Sequence, residues 1–156
     1  MPHPFIHLRA RSAYSLLQSA IQVKGLTKLA AKFEMPALGL ADANNLFGAL
    51  EFSESAVEAG VQPIIGLTLK IRLKPPALGE TIREPDGSIA LLAQNEKGYA
   101  RLMVLTSRSF IEVEPAEEPH VAVETALEQT DGLIALTGGP DGALNKLVVA
   151  GEFQEA

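Results

Sequence analysis

The stretch Pro36-Ala37-Leu38-Gly39-Leu40-Ala41-Asp42 is apolar on both of its alternating faces, and no other feature constrains the chain as much. A strand of this kind needs cover on each side, as strands have in sheets packed between helices. The flanking segments supply helices. Val23 to Phe33 puts Leu26, Leu29, Ala30 and Phe33 on one face at helical spacing. Asn45 to Ala59 reads as a second helix with Gly60 as its C-cap. Pro63-Ile64-Ile65-Gly66 then leads a strand in which Leu67, Leu69, Ile71 and Leu73 share a face. Ser88 to Ala93 is a further strand, and Asn95 to Ser109 a helix with Tyr99, Leu102, Met103 and Thr106 in register. A short helix near Val121–Gln129, a strand at Gly132–Thr137 and a helix from Gly142 follow, and Phe5 to Ala10 alternates as a first strand. Strands interleaved with helices predict an α/β fold with a mainly parallel sheet, in a single domain over residues 1–156.

Composition narrows the function classes. Hydrophobic residues make up 47% and charged ones 21%, which excludes a disordered or low-complexity chain. The 156 residues suffice for one domain, whereas a closed β/α barrel takes roughly 200 or more. Gly151 to Ala156 offers no structural finish, so the gene product is expected to continue. A net charge of −6 argues against a main DNA-gripping surface, although Arg9, Arg11, Lys24 and Lys28 cluster early. The absence of Cys excludes disulfides, thiolate-bound zinc and a cysteine nucleophile. No apolar run reaches membrane-spanning length and no signal peptide opens the chain, so a cytoplasmic location is expected. Pro75-Pro76 and Pro85-Asp86-Gly87 bracket a surface loop, and the acidic Glu112–Pro119 reads as a solvated one.

Few residues stand out for chemistry. His7, Arg9 and Arg11 alternate, so their side chains leave from one face; they either line a site mouth or merely meet solvent. Asp42 ends an apolar strand, where α/β proteins place catalytic groups, but a turn or helix-capping role into Asn44-Asn45 serves equally. Thr137-Gly138-Gly139-Pro140-Asp141-Gly142 lacks the spacing of a phosphate loop and reads as a tight turn with Pro opening a helix. His3 and His120 have no partner in sequence and read as surface residues.

Four segments in order carry more information. His7-Leu8-Arg9-Ala10-Arg11-Ser12-Ala13-Tyr14-Ser15 resembles the opening motif of the polymerase-and-histidinol-phosphatase (PHP) domain of bacterial DNA polymerase III alpha subunits. Pro36 to Phe52, with Asp42-Ala43-Asn44-Asn45 at its centre, is similar to the second motif of that family, and Gly60 to Gly66 to the third. Leu91 to Tyr99 resembles the fourth, which Gly132 to Gly139 continues. The resemblance implies part of a distorted β/α barrel whose mouth holds a metal cluster in active members, some of them phosphoesterases or 3′→5′ exonucleases. On this alignment the family's ligand positions are occupied by Arg9, Arg11, Ala43, Thr68 and Ser88, with Asp42 retained. Arg is a permanent cation with five donors and no lone pair to give, so it repels a metal rather than binding one.

The implied reading is a metal-free PHP domain without cofactor, unable to polymerise alone and acting in DNA replication as a structural module. Its implied partners are the rest of the alpha subunit and the proofreading exonuclease subunit, with DNA reached only through the assembly. A metal-dependent phosphoesterase and a free-standing α/β binding module are the alternatives. Arg9 or Arg11 is expected to take over the cation's place and pair with Asp42 in a bidentate bond. If the barrel is only part-built, its edges are expected to drive association or a reordered sheet.

Overall fold

The computed structural model describes residues 5–74 and 84–154. His3 and the Pro75-Pro76 end of the expected surface loop lie outside them. The elements in chain order are α1 (Val23–Lys32), β1 (Ala37–Ala43), α2 (Ala49–Glu58), β2 (Gln62–Arg72), β3 (Gly87–Ala93) and α3 (Glu96–Ile111). Then come the two-residue β4 (Val121–Ala122), α4 (Val123–Leu127), β5 (Leu133–Leu136), a 3₁₀ turn at Gly139–Asp141 and α5 (Ala143–Ala150). No helix among the described residues is long and apolar enough to cross a membrane.

The sheet runs β1-β2-β3-β5, with β4 pairing the far end of β2. β2 is parallel to β1 and β4, but β3 is antiparallel to both β2 and β5. The mainly parallel sheet expected from the alternation of elements is therefore corrected to a mixed one. The reason lies in the connections. A parallel pair needs a crossover, usually a helix, which α2 supplies between β1 and β2. β3 runs the other way along β2, with Ile71 opposite Gly87 and Gly66 opposite Leu92.

Register decides which residues share a face. Leu38, Leu40 and Asp42 pair with Pro63, Ile65 and Leu67, so they point with β2's apolar set toward the helices. Leu67, Leu69 and Ile71 pack with Leu91, Leu102 and Leu105 in one core cluster. Leu38 and Leu40 pack with Val23, Ala30, Phe52 and Ala56 in a second. The opposite face, called inner below, carries Gly39, Ala41, Ala43, Gly66, Thr68, Ala90 and Ser88. Its small residues let other backbone come close: a Cβ on Gly39 would lie 2.6 Å from the Leu8 carbonyl oxygen.

Two expected helix faces shift. On α1 the buried residues are Val23, Thr27 and Ala30, while Leu29 and Phe33 are exposed. With Leu26, Met35 and Leu38 these two line an apolar groove of about 280 Å³. On α3 the buried stripe is Gly98, Arg101, Leu102, Leu105 and Ser109, leaving Tyr99 and Met103 outside. The cause is a backbone contact. Gly98 packs so tightly on the Gly132 carbonyl that a Cβ there would lie 1.9 Å from its oxygen, and this turns the helix by one position.

The expected first strand forms only in part. Residues 7–10 run parallel to β1 through bonds from Gly39 N–H to the His7 carbonyl, Ala10 N–H to that of Gly39 and Ala41 N–H to that of Ala10. A bend at Leu8 interrupts the alternation, leaving a single bridge between Ala10 and Leu40. The acidic stretch is an irregular and mostly exposed loop, as expected, but Glu117 within it is drawn in. Arg72 pairs with Glu117 at 3.1 Å, with side chains only 9% and 12% exposed, and Asn44 donates to the Pro119 carbonyl at 2.8 Å. His120, expected at the surface, is 6% exposed; its Nδ1 lies 2.8 Å from the Glu118 carbonyl oxygen. Cationic Lys70 and Arg72 on β2 attract this stretch, and it covers β2's end, where β4 joins.

Candidate functional site

The Ala10–Leu40 bridge orients the N-terminal segment: paired residues share a face, so Ala10 looks toward the helices and its neighbours Arg9 and Arg11 look the other way. Register places Ala43 opposite Thr68 and Ser88 opposite Lys70 on that inner face. Arg9, Arg11, Ala43, Thr68 and Ser88 thus share one side of the sheet near its C-terminal rim. His7, expected to join the arginines, does not; beyond the bend it lines the apolar groove beside α1.

The Gly-rich turn also belongs to this mouth. Gly138 and Gly139 take φ of +85° and +66°, the left-handed region that glycine enters without strain. The turn folds down onto β3, where Ser88 donates to the Asp141 carbonyl at 3.3 Å and bridges Gly142. Asn145 anchors it from α5 by donating to the Gly139 carbonyl at 2.6 Å. Arg9 lies over it, its Nη1 3.3 Å from where a Cβ on Gly139 would be. In sequence this turn lacked phosphate-loop spacing and read as structural; the Ser88–Gly142 bridge brings it to the arginines. A Gly138→Ala change should cost about 2 kcal/mol, because a left-handed Ala is strained and its Cβ would meet the Ser88 carbonyl oxygen at 2.4 Å. Gly60→Ala is the control: φ is +71° but nothing lies within 4 Å, so urea midpoints should fall less.

Asp42 is elsewhere. It pairs in register with Leu67 and is 2% exposed on the helix side of β1. Its carboxylate accepts from Ser12 N–H at 2.7 Å, from the Ser12 hydroxyl at 2.7 Å and from the Ser15 hydroxyl at 2.6 Å. The expected bidentate pair with Arg9 or Arg11 is therefore corrected: the serine turn has taken the acceptor sites, and strand parity sends the arginines to the other face. Arg11 instead donates from Nη1 to Gln18 Oε1 at 2.6 Å. Burial, and next the charge of Arg9, pull the Arg11 guanidinium below its ordinary value, while Asp141 and Asp42 pull it back up. The roles of Ser12 and Ser15 were missed. The only cue was two hydroxyls one turn apart, just after a strand and upstream of a buried acid. The serine turn also fixes β1's end, since Ser15 Oγ accepts from Ala43 N–H at 3.0 Å. Tyr14 between them donates to Glu51 at 3.1 Å, which raises its phenol pKa.

Residues 7–156 match the family model for the PHP domain. The chain belongs to the PHP domain family. It is 46% identical over 153 residues to the DNA polymerase III subunit alpha of Caulobacter vibrioides, covering 97% of this chain and 13% of that protein. The subunit alpha of Rickettsia felis is 38% identical over 152 residues, again 97% of this chain and 12% of the relative. The chain thus spans only about an eighth of the curated relatives it matches. Among solved structures, a Bifidobacterium adolescentis protein proposed to be a metal-dependent phosphoesterase is 17% identical with a TM-score of 0.45, covering 67% of this chain and 32% of that one. That likeness is too loose to bear on function.

A PHP metal cluster would draw on imidazole and carboxylate ligands converging on the inner face. The residues present do not fit one. Two guanidinium groups, a methyl and two hydroxyls stand at the five positions that the motif resemblance singled out, and the Thr68 hydroxyl donates to the Ala41 carbonyl at 2.8 Å. The one nearby buried carboxylate, Asp42, points away and is saturated by serines. Among the described residues no group of three or more His, Asp or Glu is placed to hold a metal ion.

Proposed function

We propose that this chain is the PHP domain of a bacterial DNA polymerase III alpha subunit, serving replication in the cytoplasm as a catalytically silent structural and docking module. The observation that carries this reading is the inner face itself. Where an active PHP domain would gather metal ligands, this one places Arg9 and Arg11 beside a turn of its own backbone. With editing chemistry absent here, proofreading falls to the separate exonuclease subunit, and the PHP domain helps hold that subunit against the polymerase body. The net charge of −6 fits a domain that meets protein and reaches DNA only through the assembly.

The test pairs chemistry with binding. After dialysis against zinc and manganese, elemental analysis should find no stoichiometric metal, and a 3′-end-labelled primer should remain uncut. Immobilised chain should retain the proofreading exonuclease subunit from the same organism. Tightly held metal together with cleavage would overturn the silent reading in favour of a phosphoesterase. Failure to retain the exonuclease would remove the docking role.

A further inference from the structure

We propose that the Tyr14–Leu17 tip and the outer side of α2 form one docking face, and that its occupant is the polymerase body of the same alpha subunit. The inference rests on the alpha-subunit reading above and adds the surface by which the domain is seated. α2 is apolar on two sides. Its inner side buries Ala49, Phe52 and Ala56. Its outer side carries Leu50 and Val57, with Phe47 in the turn just before them, and the tip adds Leu16 and Leu17. Each of these five is at least 66% exposed. A surface helix normally turns polar residues to water, and apolar residues gathered outside mark a surface that another surface covers.

One buried side chain joins the two parts. Asn45 Nδ2 donates to the Tyr14 carbonyl at 3.0 Å, and its Oδ1 accepts from Phe47 N–H at 3.1 Å. Tyr14 reaches α2 itself by donating to Glu51 at 3.1 Å, and a Cβ on Gly48 would lie 2.9 Å from its ring. Ser15 holds the tip from below, donating to Asp42 at 2.6 Å, while Gln18 N–H closes a turn onto the Ser15 carbonyl at 3.0 Å. Leu17 stands third in this turn with φ of +62°, where glycine or asparagine is usual. Leucine is strained there, and at full exposure it gains nothing from its own fold. Strain held on a fixed, exposed tip points to a contact made with something else.

Charge and permanence choose the occupant. α2 carries Glu51, Glu54 and Glu58 and no base, so a second copy docked on this face about a two-fold axis would set acids against acids. An apolar centre suits a neighbour that stays in place, since permanent interfaces are the more hydrophobic ones. The curated relatives contain such a neighbour. The matched part is 13% of the Caulobacter vibrioides subunit and 12% of the Rickettsia felis one, and the remainder belongs to the same polypeptide. The facing surface of the body is then apolar at its centre, with Lys or Arg opposite Glu54 and Glu58.

The test uses the complete alpha subunit with photo-crosslinking benzoylphenylalanine placed at Leu17, at Leu50 or, as a control, at exposed Gln129. After illumination, mass spectrometry should find links from positions 17 and 50 to peptides of the polymerase body, and few from 129. Links to a second copy, or to the exonuclease when that subunit is added, would give the face another occupant and overturn the proposal. Equal yields from all three positions would overturn it too. A second measurement needs no probe. Leu17→Gly relieves the left-handed strain, so the isolated chain's urea midpoint should hold or rise; a clear fall would show that Leu17 serves its own fold and remove it from the face. In the complete subunit, Leu17→Gly with Leu50→Ser should lower hydrogen-exchange protection of residues 47–58 roughly tenfold or more, the loss of two covered leucines. Protection that is equal in the isolated chain and the complete subunit, or unmoved by the two changes, overturns the face. Exonuclease retention by the immobilised chain is a separate readout: its failure removes that docking role and leaves cross-links to the body, and this face with them, intact.

Discussion

Asp42→Ala is expected to lower the unfolding free energy by about 3–5 kcal/mol, the largest loss expected from any single change at the family's motif positions. Three donors, Ser12 N–H and the hydroxyls of Ser12 and Ser15, converge on this carboxylate at 2.6 to 2.7 Å. Ser12, Ser15 and Asp42 are each at most 2% exposed. Removing the acid leaves those donors buried without an acceptor, each at a cost of roughly 1–3 kcal/mol, with some recovered by water entering. Asp42→Asn keeps one oxygen but turns a donor toward donors, so about half the loss is expected. Ser12→Ala and Ser15→Ala should each cost about 1–2 kcal/mol, and a double-mutant cycle with Asp42 should show strong coupling. Chemical denaturation reads all of these. The sign separates two roles for the retained acid. A carboxylate kept for metal binding or catalysis is commonly a stability liability, and its removal leaves the fold unharmed or firmer. An unchanged or raised midpoint in Asp42→Ala would return Asp42 to the candidates for chemistry.

The same residue shows where sequence reading stopped. Apolar periodicity located α1, β1, β2 and β3 to within a residue or two, because hydrophobic pattern and strand length are local properties. The alignment of motifs found Arg9, Arg11, Ala43, Thr68 and Ser88, and the inner face does gather them. What it could not supply was parity. Asp42 and Ala43 are neighbours in the chain but leave β1 on opposite faces, and the face of each is fixed by pairing with Leu67 and Thr68 far downstream. The direction of β3 was hidden for a related reason: the alternation of elements does not report whether a given connection crosses over or turns back. His120 and Glu117 were misread because charge was equated with exposure. A carboxylate is buried when a cation waits for it, and Arg72 lies 48 residues before His120 in the chain.

That acidic stretch supplies the second large effect. Glu117→Ala should cost about 3 kcal/mol or more, since breaking a buried pair strands the partner charge. Glu117 lies 3.1 Å from Arg72 Nη1 and 3.9 Å from His120 Nε2, with its side chain 12% exposed. Arg72 keeps other interactions, but its neighbouring carboxylate would be gone. The comparison that gives this its force is one residue away. Glu118 pairs with Lys70 at 3.7 Å, both side chains substantially exposed, and such pairs contribute only about 0–1 kcal/mol. Glu118→Ala should therefore hardly move the denaturation midpoint, and raising the salt should erase what little it does. Glu117→Ala should retain most of its cost in salt. Replacing the pair together, Arg72→Met with Glu117→Leu, should recover much of the loss, because a buried ion pair owes more to avoided penalty than to net attraction. Equal, small effects at both glutamates would mean that Glu117 is as solvated as Glu118. A large effect at Glu117 alone would establish it as the strap that closes the end of β2 and seats His120 beneath it.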